Sequence, residues 1–352
     1  MLNILDLGFL SLALTVAFTG FVIKNYEKHV PAFIIKGFKY GCFAYQGSGA
    51  NYLQIIEVPK ALYRHFYAFS SVFSAVTLIY ALLVYCFELS VHRYVVIFLK
   101  LFLEQDEPSV PAIAAIIALT LLTIQCTRRC YETYYLQVFA QSSKMNLSHY
   151  VAGLVHYFAV VVAAIGQAPL FCGAQTREKI LWSDTKTLLL SIPVTLIFLW
   201  AWYEQYKSNM IFANLRRDKK SGRVVTEKHS IPYGRLFSYV SSPHRLCEVI
   251  MYVMLLILIP TRTFFCIFLW VICNQVSILI YIIVICLFRM ITPSSAIYYL
   301  SEKSNILLQS IPKLKITYLL LQVQTSIHAH EWYKNTFKDY PKDRTAFIPK
   351  IY

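Results

Sequence analysis

The chain has 352 residues, of which 57% are hydrophobic and only 14% charged, with a formal net charge of +15 and a mean hydropathy of +0.53. A soluble domain of this size carries about a quarter charged residues, and here the apolar residues run in blocks long enough to cross a bilayer. That excludes a soluble enzyme, and it leaves no soluble basic domain to hold nucleic acid. The nine Cys lie mostly within apolar runs and show no paired zinc-type spacing, so they read as small membrane hydrophobes rather than a disulfide framework.

In chain order, residues 5–23 are expected to form a first span. It carries Asp6, lacks a basic start and is followed by Lys24 and Lys28, which points to an uncleaved anchor with its N-terminus away from the cytosol. Residues 24–65 are mixed and basic and fall on the cytosolic side, and a second span runs from Phe66 to Phe87. Tyr94–Leu103 is apolar but too short to cross, and suits the membrane interface. Further spans are expected at Ser109–Cys126, stopped by Arg128 and Arg129, then at Leu147–Phe171, Thr187–Tyr203, Leu246–Pro260 and from Phe264 onward. Seven spans bring residues 24–65, the stretch from Asn214 to Glu248 and the C-terminal tail to one side, as basic loops require. The fold class is an all-α polytopic membrane protein of one domain. Asn146-Leu-Ser148 has the form of a glycosylation acceptor, but this order of spans places it in the cytosol, so the match reads as chance.

Between two apolar blocks, the stretch Asn214–Glu248 sets Arg216, Arg217, Lys219, Lys220, Arg223, Lys228, Arg235 and Arg245 beside Ser, Thr, Tyr and His. An anion pocket at a membrane surface fits this chemistry, and so does a solvated loop that only orients the chain. Gly is scarce, at 11, and no Gly-rich phosphate loop is present, so any dinucleotide is not held by a Rossmann fold. His328 and His330 form a His-x-His pair with no third ligand at metal spacing, and no metal site is expected. His149 and His156 share one face of the fourth span, where a functional role and interhelical hydrogen bonding are both open.

Four separated motifs carry a resemblance. The tail from His330, with Tyr340-Pro-Lys-x-Arg344-x-Ala, looks like the end of the steroid 5α-reductase family. Ile231-Pro-Tyr-Gly-Arg235 and Tyr239-Val-Ser-Ser-Pro243 resemble its second signature, the latter most like the polyprenol reductase branch that acts in dolichol synthesis. Arg128-Arg-Cys-Tyr-Glu132 and Glu57-Val-Pro-Lys60 are similar to the same branch. The resemblance implies an endoplasmic reticulum enzyme with a cytosolic C-terminus that uses NADPH to saturate the α-isoprene unit of a long polyprenoid lipid. Hydride adds to a C=C only where the developing charge is delocalised, so the aldehyde, polyprenal, is the expected reacting form rather than the allylic alcohol.

By the same resemblance, Glu57 is the carboxylate that reaches the substrate carbonyl. A protonated acid near hydrocarbon can donate to developing negative charge, while an interfacial charge with no role is the plain alternative. The cofactor positions implied are Gln205, Asn209, Arg216, His229, His244, Glu248, His330 and Tyr333, with Arg216 matched to the 2′-phosphate by its planar fork. The family's steroid members pair the acid with a preceding Gln and a Tyr on the third span. Here those positions hold Ile56 and Cys126, which argues against a 3-keto steroid. A steroid Δ4-reductase, a non-catalytic lipid-handling protein and a prenyl-cysteine methyltransferase are the competing readings.

Residues 276–322 have no place in the pattern, whose family-like parts are 55–275 and 323–352. The segment begins Val276-Ser277 and ends Leu321-Gln322, pairs that GTAAGT and TTGCAG encode, so a retained intron translated in frame is one expectation and an inserted membrane hairpin the other.

Overall fold

The computed structural model describes residues 2–38, 57–139, 143–174, 185–218, 224–226, 230–275, 324–341 and 343–346. The apolar blocks become α1 (Ile4–Tyr26), α2 (Ala32–Phe38), α3 (Tyr63–Cys86), α4 (Arg93–Leu103), α5 (Ala112–Tyr131), α6 (Leu147–Ile165), α7 (Thr185–Asn214), α8 (Pro243–Leu258), α9 (Arg262–Gln275) and α10 (Gln324–Thr336). Two three-residue strands, β1 (Glu57–Pro59) and β2 (Lys144–Asn146), pair antiparallel with Glu57 opposite Asn146. The segment 276–322 and its two readings lie outside the described residues.

Among the described residues, α1, α3, α5, α6 and α7 are long and apolar enough to cross a membrane. The expected sixth and seventh spans are helical but shorter. At 16 and 14 residues, α8 and α9 rise about 24 and 21 Å at ~1.5 Å per residue, less than the ~30 Å hydrocarbon core. They form a hairpin broken at Pro260, which cannot continue the ladder of α8. Two expected stops also move. α5 runs past Arg128 and Arg129 to Tyr131, and α7 runs past Tyr203 to Asn214, because the polar residues that seemed to end them are paired inside the bundle. The fourth span ends earlier, at Ile165 rather than Phe171, where Gly166-Gln167-Ala168-Pro169 turns the chain.

Hydrogen bonds between distant residues fix the two ends of the bundle. At one end Asn3 caps α1 in a reciprocal capping box with Asp6. Asp6, fully buried, accepts from Thr263 (2.7 Å) and Arg262 (2.7 Å), and the Asn3 amide donates to the Leu103 carbonyl. The first helix is thereby tied to α4 and α9 by groups that hydrocarbon would not satisfy. Ser109 and Gln167 bond at the same end (2.9 Å), as do Tyr85 and the Pro169 carbonyl (2.5 Å).

The other end gathers the starts of α3, α6 and α8, the ends of α5 and α7, and the tail. Asn146 is there as the N-cap of α6, its side chain accepting from Ser148 N–H, an ordinary helix-start role for that polar pair. The helices meet through small residues: Ser70 and Ser74 are fully buried on α3, and Ser71 bonds Thr127 of α5 at 3.1 Å. Close approach of this kind is how membrane helices associate when burial in lipid supplies no driving force.

Candidate active site

Where α5, α7 and α8 converge, their polar residues form one buried network. On α5 Arg128 is 7% exposed. It donates to the Trp202 carbonyl (2.8 Å), to Gln125 Oε1 (2.7 Å) and to Gln205 Oε1, and pairs with Glu132 at 3.0 Å. Arg129 also pairs with Glu132, and Asn209 of α7 donates to the same carboxylate at 2.8 Å. Gln205 donates to the His244 carbonyl (2.9 Å) and to Glu248 of α8. A carboxylate this deeply buried persists only because both guanidinium groups and an amide face it. Glu132 opens a single wide turn, 132–136, a local irregularity of the type that often marks functional sites in helices.

Four of the expected cofactor residues, Gln205, Asn209, His244 and Glu248, are therefore neighbours. The side chains of Gln205, Asn209 and Glu248 are engaged with one another or with α5. His244 differs: it is half-buried, and its buried Nδ1 has no hydrogen-bond partner among the described residues. It packs edge-on against Phe212, which in turn meets Phe237.

The segment just before α8 carries the second cluster. Gly234 takes φ of +91°, a conformation that glycine alone adopts freely, and so turns Arg235 back toward α7, where it pairs with Glu204. The chain then runs through Tyr239 to Ser242 and meets the tail: Val240 and Thr345 form a parallel bridge, with Ser241 N–H donating to the Thr345 carbonyl (2.9 Å) and Thr345 N–H to the Tyr239 carbonyl (3.0 Å). The Ser241 hydroxyl sits 2.6 Å from both His330 Nδ1 and the Tyr340 hydroxyl. Tyr333 stacks on Tyr340 at 5.6 Å. The two halves that the motifs mark, 231–248 and 330–344, are thus in direct contact.

Arg344 closes this cluster. Its guanidinium lies over the rings of Tyr340 (5.0 Å) and Tyr233 (5.5 Å), it is 3% exposed, and its Nε and one Nη have no hydrogen-bond partner among the described residues. A buried cation with unused donors is costly on its own and suits an anion.

The remaining expected residues lie apart from these clusters or outside the described chain. Arg216 donates to the Val138 carbonyl (2.6 Å), and Arg217 to the Tyr135 and Leu136 carbonyls (3.0 Å each), so both cap the wide turn and the residues just after it. Glu57 is held in β1 with its carboxylate 3.7 Å from Lys144. His229 lies outside the described residues. His156 bonds Tyr252 of α8 at 2.7 Å, which favours the interhelical reading. In sequence Arg128 and Arg129 read as a charged stop, and Glu132, though part of a quoted motif, carries no assigned role; their i, i+4 and i, i+3 spacing is the signal that pairs them on one helix face.

Burial, with Lys334 and Arg344 nearby, pushes the His330 imidazole down to about 4. A histidine with a folded value below its unfolded ~6.5 supports the docked tail only while neutral. That support is complete above ~6.5 and is lost as pH falls toward about 4. Hydrogen-exchange protection of the Ser241 and Thr345 amides, corrected for intrinsic rates, is expected to fall through this window. His330→Gln should flatten that dependence; an unchanged profile in the variant would refute the assignment.

Comparison with known proteins supplies the identity. The family profile described as 3-oxo-5-alpha-steroid 4-dehydrogenase matches residues 143–281 and 305–352. Polyprenal reductase of Drosophila melanogaster is 33% identical over 353 residues, covering 99% of this chain and 93% of the relative. Polyprenal reductase of Mesocricetus auratus is 27% identical over 246 residues, covering 68% of this chain and 58% of that protein, and the Xenopus tropicalis protein of the same name is 26% identical over 304 residues, covering 86% and 82%. With its buried network and joined tail set in a bundle of apolar helices, the chain belongs to the 3-oxo-5-alpha-steroid 4-dehydrogenase family and is a membrane oxidoreductase.

Proposed function

We propose that the protein reduces the α-isoprene double bond of polyprenal, giving dolichal for dolichol synthesis, with NADPH as reductant, in the endoplasmic reticulum membrane and with the tail in the cytosol. Full-length similarity to polyprenal reductases supports the substrate. The observation that carries the cofactor reading is Arg344: a buried guanidinium between tyrosine rings, with two nitrogens unpartnered among the described residues, joined through the tail to the segment leading into His244. These groups fit an anionic, partly aromatic ligand such as a dinucleotide. NADPH, when bound, supplies the hydride.

The chain's own residues have separate tasks in this reading. Arg344, Arg216 and His244 would hold phosphate and polar groups, and Tyr333 would add an aromatic wall. His330 joins the tail to Ser241 and so places Arg344. Gln205, Asn209 and Glu248 hold α5, α7 and α8 in register, and His229 remains a candidate contact. Glu57 would face the carbonyl from the hairpin beside α3. One reductase domain spans the chain, with 276–322 as an atypical insertion whose part unmatched by the family profile is 282–304.

Purified full-length protein given NADPH should consume polyprenal, and should leave polyprenol and a 3-keto-Δ4 steroid untouched when each is supplied alone. Turnover of the steroid in preference to polyprenal, or direct reduction of polyprenol with no aldehyde formed, would overturn the substrate. Glu57→Gln should lower kcat by roughly a hundredfold.

A further inference from the structure

An acceptor aldehyde needs a hydrogen-bond donor at its carbonyl oxygen, and that donor has to sit where polar machinery meets a surface that takes a lipid chain. The described residues contain such a junction in the first turns of α3, the helix that follows β1. Phe66 of α3, Cys126 of α5 and Tyr157 of α6 form a small apolar cluster, separate from the main core, with Tyr63, Tyr67, Tyr150 and Leu154 packed against it. Beside it the outer faces of α3 and α6 expose Phe69, Val72, Val76, Val151 and Val155, the surface that bilayer lipid would cover. The position on α5 where a side chain could reach from the third span is occupied by Cys126, which is 1% exposed and so sealed from any ligand.

Tyr67 stands at the edge of this cluster, half-buried, with its ring 5.5 Å from Tyr157. On its other side lies Arg129, whose guanidinium sits 4.8 Å from the ring centroid and donates to the Tyr67 oxygen at 3.1 Å. Arg129 is itself anchored by Glu132, which belongs to the network of α5 and α7. A phenol whose oxygen accepts from a cation has its own O–H polarised and free to donate, and in a dry site such a donor is strong. Tyr67 therefore has the buried polar network behind it and apolar surface in front.

We infer that Tyr67 is a catalytic residue: its hydroxyl donates a hydrogen bond to the aldehyde oxygen of a lipid head lodged at the partly exposed edge of the cluster beside Leu154, with Arg129 as its positioning residue. This rests on the proposed reduction of a conjugated aldehyde. Gly153 supports the geometry, since a Cβ there would come within 2.8 Å of the Phe66 ring; α6 thus packs tightly against α3 at the floor of the cluster.

The test needs no cofactor. Polyprenal labelled with carbon-13 at the carbonyl is bound to the full-length protein in nanodiscs, and its C=O stretch is read by infrared difference spectroscopy. Wild type should shift the band down from its position for the free lipid in empty nanodiscs. Tyr67→Phe should return it to that position, while Tyr150→Phe should leave the shift intact. With NADPH added, Tyr67→Phe should lower kcat by on the order of a hundredfold with KM little changed. Should that variant fail to fold, 3-fluorotyrosine at position 67, a stronger donor of the same shape, should deepen the shift. A shifted band that survives in Tyr67→Phe, or that is unmoved by fluorination, overturns the role of Tyr67 alone. Loss of the shift in Tyr157→Phe but not in Tyr67→Phe moves the role to Tyr157. No shifted band in wild type overturns the aldehyde substrate together with this inference.

Discussion

Glu132→Ala is expected to cost about 3–5 kcal/mol of stability, the scale for breaking a buried ion pair from one side. The carboxylate is fully buried and faces Arg128, Arg129 and Asn209. Removing it leaves two guanidinium groups beside each other with no anion between them. Most of the cost is therefore the stranded positive charge rather than the lost attraction. Thermal unfolding in detergent would show it as a large fall in midpoint, and the yield of folded protein should drop with it. Glu107→Ala, at an exposed position near the opposite end of the bundle, should stay within ~0.5 kcal/mol. Equal effects from the two substitutions would show that the network carries no special weight. Activity should be lost more completely than stability, since the network also holds Gln205 and the backbone at His244.

Arg344→Met should weaken NADPH binding by roughly ten- to a hundredfold, the effect of losing charge-assisted hydrogen bonds worth about 1.5–3 kcal/mol. Methionine keeps much of the volume between Tyr233 and Tyr340, so the tail should stay docked. Stability should be unchanged or slightly raised, because the unliganded protein no longer buries a cation with unused donors. Opposite signs for stability and affinity are the signature of a group kept for a ligand. Binding can be followed by nicotinamide fluorescence, with NADH as a second ligand. If Arg344 meets the 2′-phosphate, the variant's preference for NADPH over NADH should collapse; if it meets the pyrophosphate, both affinities should fall together. Unchanged affinity for both would remove Arg344 from the site.

The transmembrane helices were legible because hydrocarbon demands long apolar runs, and α1, α3, α5, α6 and α7 show them. Their ends were not legible where polar residues continue a helix into a buried network. Arg128 and Arg129 look like a stop in sequence and become the centre of the site in space. Glu204, Gln205 and Asn209 likewise suggest that α7 ends at Tyr203, while their partners lie on α5, α8 and the turn at Arg235. Pairing of β1 with β2 was illegible because three-residue strands, one containing Pro59, have no alternation to read. The motif at 231–243 was readable as a unit, but its contact with the tail needed the structure. Arg344 sat within a recognised motif, and only the burial of its guanidinium with two nitrogens unpartnered among the described residues singles it out.

The bridge between Val240 and Thr345 also sets an order of assembly. Helices inserted from the N-terminus onward can pack as they emerge, yet the backbone of Tyr239 and Ser241 waits for residues made about a hundred positions later. Until then its N–H and C=O groups rely on solvent, and His330, Tyr340 and Arg344 do not yet exist. A polypeptide halted anywhere short of Thr345 would be a membrane bundle with an unfinished pocket. Translation through Thr345, rather than insertion of the spans, is the step at which the candidate site can first be completed.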